Sequence, residues 1–245
     1  MVLPATKWLG SLAGDVQTTQ KEMNMDVLHR LDETRSAINV LEHPFYLRWS
    51  AGELSAQELR RYAGEYRHAV LALADASARA AVEAGPAHAA ELDAHAREEA
   101  AHVALWDQFA AETATRAPGG EERPLAQTTE CVAAWTDAGD LLERMAVLYA
   151  VESAQPEISR TKLEGLARNY GYDVEGPAAE YFRVHESRDG EHARAAGEMI
   201  VELLAELGGG ADERERAVER MAGRARAALH GNWRLLDGVE GLAAR

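Results

Sequence analysis

Apolar residues recur every three or four positions along most of this chain, which is the spacing of one face of an α-helix. The first such segment begins near Asp26. It is expected to end at His43-Pro44, because the residue before a proline avoids the helical region. No part of the chain alternates with period two over a strand-length segment. The pattern therefore predicts an all-α protein.

Capping and helix-breaking residues divide the rest of the pattern. Ser55 and Glu58 have the spacing of a capping box, so a helix is expected to follow Ser55 and to run to Gly85-Pro86. Pro156 lies inside a later helical pattern and should kink it, since its ring clashes with a preceding carbonyl. The further predicted segments are helices at 87–116, from about 128, at 139–169, at 177–207 and from 212, with a loop at 117–123.

These segments predict a bundle of about seven helices in a single domain, residues 25–245. The chain has 245 residues and is 47% hydrophobic, which is enough for one large core. Residues 1–24 are rich in Gly, Thr and Gln and are expected to be a loosely ordered extension. No 18-residue apolar span or charged, apolar leader occurs, so neither membrane insertion nor secretion is expected.

The charge and the cysteine content of the chain limit the kinds of partner and the compartment that we expect. The chain carries 41 acidic against 26 basic residues, a formal net charge of −15, which repels nucleic acids. Its one cysteine, Cys131, cannot form an internal disulfide or a cysteine zinc site, which favours a reducing cytoplasm. We expect small molecules as partners; the oligomeric state stays open, and a homodimer fits.

A metal-binding pattern occurs twice. His185, Asp189 and His192 stand at i, i+4 and i+7, one stripe of a helix. The segment from His95 to His102 repeats that spacing with Glu99 as its acid. Acid–histidine pairs from two helices, joined by further carboxylates, hold two iron or manganese ions in helical bundles.

A remaining carboxylate should come from another helix, and Glu152 is the candidate because its neighbours are apolar. Glu98 is an alternative to Glu99, since it also shares a face with His102. Glu65-x-x-His68 follows the same local rule, although a structural role is favoured there. His95 is a further candidate ligand, although a histidine of the surrounding shell or an exposed histidine is favoured there. The competing interpretation is that all these residues are solvated surface residues.

The run LEHPFYLRWSAGEL at residues 41–54 resembles the opening of the heme-oxygenase-like family, which includes the thiaminase TenA and pyrroloquinoline-quinone synthase. The two repeats of the His, acid and His spacing, at His95–His102 and His185–His192, narrow this resemblance to the heme-oxygenase-like diiron oxidases. It implies a heme-oxygenase-like bundle, two Fe ions or a Mn/Fe pair, O2 as co-substrate and an external reductant. The positions that match the ligands of that branch are Glu99, His102, Glu152, His185, Asp189 and His192, with Glu98 favoured over Glu99 in an alignment without a gap.

Within that branch the chain resembles the self-sacrificing p-aminobenzoate synthases of the chlamydial type, over roughly residues 26–205. The resemblance implies that the ring of Tyr46 becomes the product, that Tyr62 is a second redox-active tyrosine, and that Lys162 supplies the amino nitrogen. Otherwise the tyrosines only pack the core and Lys162 is an exposed helix residue.

Three other functions compete with this one. The first is a diiron oxidase acting on a diffusible amino-acid-like or fatty-acid substrate. A thiaminase is disfavoured, because its cysteine would fall at Met145–Leu148 and Cys131 lies too far upstream. A metal-free scaffold or regulator would leave both metal stripes unexplained.

Overall fold

The computed structural model describes residues 26–117, 123–208 and 210–243, and every regular element within them is helical. The prediction of an all-α protein is confirmed. The predicted extension 1–24 lies outside the described residues, as does most of the loop predicted at 117–123. The elements are a helical segment at residues 26–37 (α1), then α2 Pro44–Ala51, α3 Ala56–Glu83, α4 Ala89–Arg116, α5 Ala126–Thr136, α6 Leu141–Glu152, α7 Gln155–Arg168, α8 Glu180–Glu206 and α9 Ala211–Ala243.

The capping box predicted at the start of α3 is present. The Ser55 side chain accepts from the Glu58 amide, and the Glu58 carboxylate accepts from the Ser55 amide at 2.7 Å. Two donors that a helix N-terminus leaves unpaired are thereby satisfied. Among the described helices, none combines the length and apolar character that a membrane span requires.

The prediction for the start of the chain was wrong in detail. The helix expected to reach His43-Pro44 ends at residue 37, and Pro44 begins a new helix, α2. Proline suits the first helical turn, where its missing N–H needs no partner. His43 caps α2: its Nδ1 accepts from the Phe45 amide at 3.0 Å, while its Nε2 lies 3.1 Å from Asp237 of α9.

The helix predicted at 139–169 is two helices. α6 ends at Glu152 and α7 begins at Gln155, so Pro156 lies in the first turn of a new helix instead of kinking a continuous one. The break turns the chain so that α7 packs on both α2 and α8, while α6 packs on α8 and α9.

Three buried tryptophans tie neighbouring helices together, because each indole N–H donates to a backbone carbonyl of another helix. The helix pairs joined in this way are α2 with α7, α4 with α3, and α5 with α9. The bonds are Trp49 to Lys162 O at 3.3 Å, Trp106 to Ala63 O at 2.8 Å and Trp135 to Ala228 O at 3.0 Å.

Gly165 sets the distance between α7 and α2. A Cβ at this position would stand 2.3 Å from the Trp49 Nε1 atom, closer than any side chain allows. The absence of a side chain at Gly165 therefore lets α7 lie directly against the Trp49 indole.

We expect Gly165→Ala to lower the free energy of unfolding by about 1–3 kcal/mol, since the methyl group overpacks a full core. Urea denaturation measures this change. The matched control is Gly223→Ala in α9, where a Cβ meets nothing within 4 Å. That variant should instead gain about 0.4–1 kcal/mol from reduced unfolded-state entropy. Equal effects of the two substitutions would contradict the close-approach argument.

Candidate metal centre

Three helices bring titratable side chains together in the interior of the bundle. One stripe comes from α4, a second from α8, and one carboxylate from the C-terminal end of α6. The interpretation that these are solvated surface residues is wrong, because five of the seven are at most 3% exposed. The seven residues are His95, Glu99, His102, Glu152, His185, Asp189 and His192.

The inner cluster consists of Glu99, His102 and His185, whose ligand atoms all lie within 4.8 Å of one another. Glu99 Oε1 is 3.0 Å from His102 Nδ1, and the rings of His102 and His185 have centroids 4.5 Å apart. All three side chains are buried. One cation could contact a carboxylate oxygen and two imidazole nitrogens here.

The outer cluster consists of His95, Glu152 and His192, also with ligand atoms within 4.8 Å of one another. His95 Nε2 lies 3.2 Å from Glu152 Oε1. Burial lowers the pKa of His95, but the carboxylates of Glu152, Glu99 and Glu98 together outweigh burial and raise this pKa to about 9. Both histidine side chains keep some exposure, 14% and 16%. This half of the centre faces the outside.

Asp189 is a buried acid whose Oδ1 lies 3.7 Å from His192 Nδ1. The residue is 1% exposed, and neither carboxylate oxygen has a hydrogen-bond partner. Burial, then the negative charges of Glu152 and Glu99, raises the pKa of Asp189 to about 10. A carboxylate in such a position needs a cation or a proton.

The tautomer of His185 is fixed by its own helix. Its Nδ1 lies 2.6 Å from the carbonyl oxygen of Tyr181, to which an Nδ1–H donates. The lone pair is then on Nε2, which is buried and has no hydrogen-bond partner. Burial lowers the pKa of His185 to about 4, so the ring is neutral and able to bind a metal.

The donor set fits a pair of divalent cations. Unpaired buried charges cost several kcal/mol unless a counter-charge is present. Carboxylate oxygens and imidazole nitrogens, without thiolates, suit iron and manganese. The Glu99–His102 and Glu152–His95 contacts are close but not aligned as hydrogen bonds. The buried atoms of this centre that make no hydrogen bond to the described residues are His95 Nε2, Glu99 Oε1, His102 Nδ1, Glu152 Oε1 and Oε2, His185 Nε2, Asp189 Oδ1 and Oδ2, and His192 Nδ1.

His95 is the residue that the sequence interpretation undervalued. We expected it in the surrounding shell, whereas the structure places its Nε2 beside Glu152 and its ring 4.9 Å from that of His192. The signal was present in the sequence, since His95 occupies the position in the α4 stripe that His185 occupies in the α8 stripe.

The two adjacent glutamates of α4 have different surroundings. Glu99 is buried in the inner cluster. The Glu98 side chain is 30% exposed, 3.3 Å from Arg188 and 3.3 Å from His192 Nε2. Glu99 is therefore the carboxylate inside the centre, and Glu98 lies at its rim.

The rival pair Glu65 and His68 lies elsewhere. Glu65 is buried and accepts from the Leu125 amide at 3.1 Å and the Thr128 hydroxyl at 2.5 Å, which anchors the start of α5. His68 lines a groove between α3 and α4. Neither residue belongs to the two ligand clusters within the described residues.

Tyr46, Tyr62 and Lys162 form a second buried group. Each of these residues is at most 1% exposed, so Lys162 is not a surface residue. The Lys162 Nζ atom has no hydrogen-bond partner and lies 5.7 Å from the centre of the Tyr46 ring. Burial lowers the pKa of Lys162 to about 7 and raises the pKa of both phenols. The Lys162 amine is thus available in its neutral form near neutral pH.

Aromatic rings connect this group with the metal centre. Tyr181 stacks on His185 with centroids 3.9 Å apart, and Trp106 contacts Tyr181 at 4.8 Å. The Trp106 ring is in turn 5.9 Å from the Tyr62 ring. Tyr181, Trp106 and Tyr62 therefore form a series of adjacent, oxidisable rings that begins at the inner cluster. We call this series the ring chain.

A pocket of about 180 Å³ opens onto the outer cluster and is lined in part by His95, Glu98 and His192. Its apolar wall includes Leu92 and Met199. This volume is below the roughly 300–1,000 Å³ typical of small-molecule sites. The pocket suits a diatomic molecule better than an extended substrate.

We expect Asp189→Asn to cost at least one bound ion per chain after anaerobic iron loading, measured by elemental analysis. It should also change the pH dependence of the metal-free protein. A folded-state pKa near 10, above the ordinary 3.8, makes Asp189 destabilising as pH rises between those values. From pH 6 to pH 8 the chelated wild type should therefore lose about 2–3 kcal/mol relative to Asp189→Asn.

The control for this experiment is Asp75→Asn, whose partly exposed carboxylate pairs with Arg79. That change should alter neither metal content nor the pH dependence of unfolding. Full metal occupancy in Asp189→Asn would place the centre elsewhere.

Glu99→Gln should abolish iron-dependent oxygen consumption, because the amide keeps the size of the side chain but removes a buried anionic donor. Glu98→Gln should retain most of it, since Glu98 lies at the rim. Oxygen uptake by the iron-loaded variants measures both. Equal, mild losses would show that neither glutamate binds metal.

Solved structures share this fold. A TenA homologue from Pseudomonas syringae superposes with a TM-score of 0.71 at 16% identity, covering 89% of this chain and 92% of that one. A heme-oxygenase-like domain from Shewanella denitrificans gives a TM-score of 0.67 at 17% identity, with coverage of 91% and 93%. The predicted heme-oxygenase-like bundle is confirmed.

Sequence comparisons agree with the chemistry of the centre. A 4-aminobenzoate synthase from Nitrosomonas europaea is 30% identical over 86% of this chain and 89% of its own length. One from Chlamydia muridarum is 30% identical over 75% of this chain and 81% of its own. The family of iron-containing redox enzymes matches residues 60–229, which include every residue of both ligand clusters. The chain belongs to this family of iron-containing redox enzymes with a heme-oxygenase-like fold.

Proposed function

We propose that this protein is an O2-activating dinuclear oxidase that makes p-aminobenzoate, also called 4-aminobenzoate, from its own Tyr46, with Lys162 as the source of the amino nitrogen. Its partners would be O2 and a small reductant. The printed names of the Nitrosomonas and Chlamydia relatives support the product. The buried positions of Tyr46 and Lys162 support the proposed sources of the product's ring and of its amino nitrogen.

The observation that carries the proposal is the placement of Lys162. A buried lysine amine with no hydrogen-bond partner is costly, and burial alone shifts its pKa to about 7. Five aromatic rings of the described chain surround this Nζ atom, at 4.7–5.7 Å from their centres. These rings enclose the amine in an apolar cage, so no described side chain or backbone group hydrogen-bonds to it. A structural lysine would have no need of this position.

Two Fe ions, or a Mn/Fe pair, would be held by the two ligand clusters, with Asp189 as a further carboxylate. The inner cation would contact Glu99, His102 and His185, and the outer one the cluster that contains Glu152. When bound, the metals would activate O2 with electrons from an external reductant. The inner cluster lies at the start of the ring chain to Tyr62, and the outer cluster lies at the pocket.

The ring chain gives the protein a route for oxidising a tyrosine that does not touch the metal ligands. Three rings lie one after another in space between His185 and the neighbourhood of Tyr46, namely Tyr181, Trp106 and Tyr62. Tyr62 and Tyr46 are also close enough for each phenol to influence the ionisation of the other. Tyr62 would pass oxidising equivalents to Tyr46.

The competing functions have less support. An oxidase for a diffusible substrate would use the pocket at the outer cluster, whose volume of about 180 Å³ is small for an amino acid or a fatty acid. A thiaminase needs a reactive cysteine, whereas burial raises the pKa of Cys131 and keeps its thiol protonated. A scaffold would have no use for three buried carboxylates.

The test uses protein made with ring-labelled tyrosine and with ¹⁵N-lysine, loaded with iron and exposed to O2 and reductant. We expect less than one p-aminobenzoate per chain, without added substrate, carrying both labels. Intact-mass and peptide analysis should find the loss at Tyr46. Tyr46→Phe should abolish product while metal content stays unchanged, because it removes only the phenolic O–H.

Lys162→Arg should also abolish product, since it keeps the charge but removes the primary amine. Lys162→Met is a second variant that fills the same apolar cage and is expected to fold. Unlabelled product, several turnovers on an added substrate, or wild-type activity in Tyr46→Phe would each contradict the self-derived origin.

A further inference from the structure

Helix α7 buries a stripe of polar side chains that the metal centre does not use. Gln155, Ser159 and Lys162 stand at i, i+4 and i+7 and therefore share one face of the helix. They are 1%, 0% and 0% exposed. Polar residues of these types are mostly found at protein surfaces. A continuous buried stripe of them calls for a physical reason.

Each member of the stripe has an unpaired polar atom. Ser159 Oγ, Lys162 Nζ and Gln155 Oε1 have no hydrogen-bond partner among the described residues. The other end of the Gln155 amide donates to the Tyr66 hydroxyl at 3.3 Å. Whichever way the amide is turned, one of its ends stays unpaired.

Ser159 differs from a comparable serine of this fold. Ser77, in α3, is equally 0% exposed, and its hydroxyl donates to the carbonyl of Leu73 one turn earlier at 3.0 Å. Buried helical serines are commonly satisfied in this way. The Ser159 hydroxyl does not make this bond to its own helix. Among the described residues, no other protein group bonds to it either.

The stripe begins close to Glu152 of the metal centre and ends at Lys162. Gln155 follows Glu152 by three residues across the break between α6 and α7. Tyr66 joins the two ends of the stripe, since its hydroxyl is bonded to Gln155 and its ring centre is 4.7 Å from Lys162 Nζ. Buried water typically makes about three hydrogen bonds to otherwise unsatisfied polar groups. The stripe supplies donors and acceptors of this kind at one place.

We propose that Ser159 and Gln155 are positioning residues that hold ordered water beside the Lys162 amine. This inference rests on the proposed function of Lys162 as nitrogen donor. The water hydrogen-bonds to Nζ and fixes the direction of the amine relative to the Tyr46 ring. Without it the amine would have only aromatic faces as neighbours, which set no single orientation.

The first test is a high-resolution crystal structure of the wild-type chain. We expect a water molecule within hydrogen-bond distance of both Ser159 Oγ and Lys162 Nζ. A Ser159 hydroxyl bonded to the carbonyl of Gln155, with no water beside Lys162, would overturn the proposal. This measurement does not depend on any variant folding.

The second test compares Ser159→Ala with Ser77→Ala, which removes an equally buried hydroxyl bonded to its own helix. Ser159→Ala should slow single-turnover p-aminobenzoate formation about tenfold, the equivalent of one hydrogen bond. Its metal content should stay unchanged. Ser159→Thr, which keeps the hydroxyl, should restore the rate, and Ser77→Ala should have the wild-type rate. A wild-type rate in Ser159→Ala would refute the positioning role.

The third test separates this inference from the proposed function. In ¹⁵Nζ-lysine-labelled protein, the resonance that Lys162→Met removes belongs to Lys162. Ser159→Ala should shift this resonance, and Ser77→Ala should leave it in place. An unshifted resonance would count against the bound water even if product forms. If the wild type makes no product but the shift and the water are found, the proposed function fails and the water site stands.

Discussion

The constraint on which the rest of the structure depends is the burial of three carboxylates, Glu99, Glu152 and Asp189, inside a helical bundle. Negative charges cannot share an apolar interior without counter-charge. Burial holds His185 in its neutral form, so this ring cannot serve as their counter-ion, whereas the raised pKa of His95 lets that ring balance one of them, Glu152. Two divalent cations would neutralise the carboxylates and use the imidazole lone pairs. The buried carboxylates and imidazoles therefore form a donor set that suits cations.

The inner and outer clusters of the centre have different surroundings, so the two sides of the site suit different roles. The inner cluster adjoins Tyr181 and Trp106, the beginning of a chain of oxidisable rings. The outer cluster adjoins an apolar pocket. Small reactants would enter on one side, and oxidising equivalents would leave on the other. Lys162 lies in the aromatic region and is thereby separated from the entry side.

Backbone features far from the metals place Lys162 over Tyr46. His43 caps the short helix that carries Tyr46 and ties it to α9. The break after Glu152 allows α7 to take its own direction, and Gly165 lets it approach the Trp49 indole. These contacts are specific to the packing of α2 against α7. A change in any of them would move the amine relative to the ring without touching a metal ligand.

Much of this could be predicted from the sequence, because the relevant signals are local. Helical periodicity, the Ser55 capping box and the repeated spacing in α4 and α8 are properties of short segments, and the structure has all of them. The fold class and most of the seven centre residues followed from them. Pro156 was misjudged because a proline can either kink a helix or begin one, and only the surrounding packing selects between these outcomes.

The tertiary structure decided what depends on contacts between distant segments. Glu98 and Glu99 are adjacent in sequence, and the packing of α4 against α8 buries one and leaves the other at the rim. His95 became part of the centre because Glu152, from α6, lies 3.2 Å away. Burial and the proximity of helices set these roles. Neither quantity is a property of a local sequence pattern.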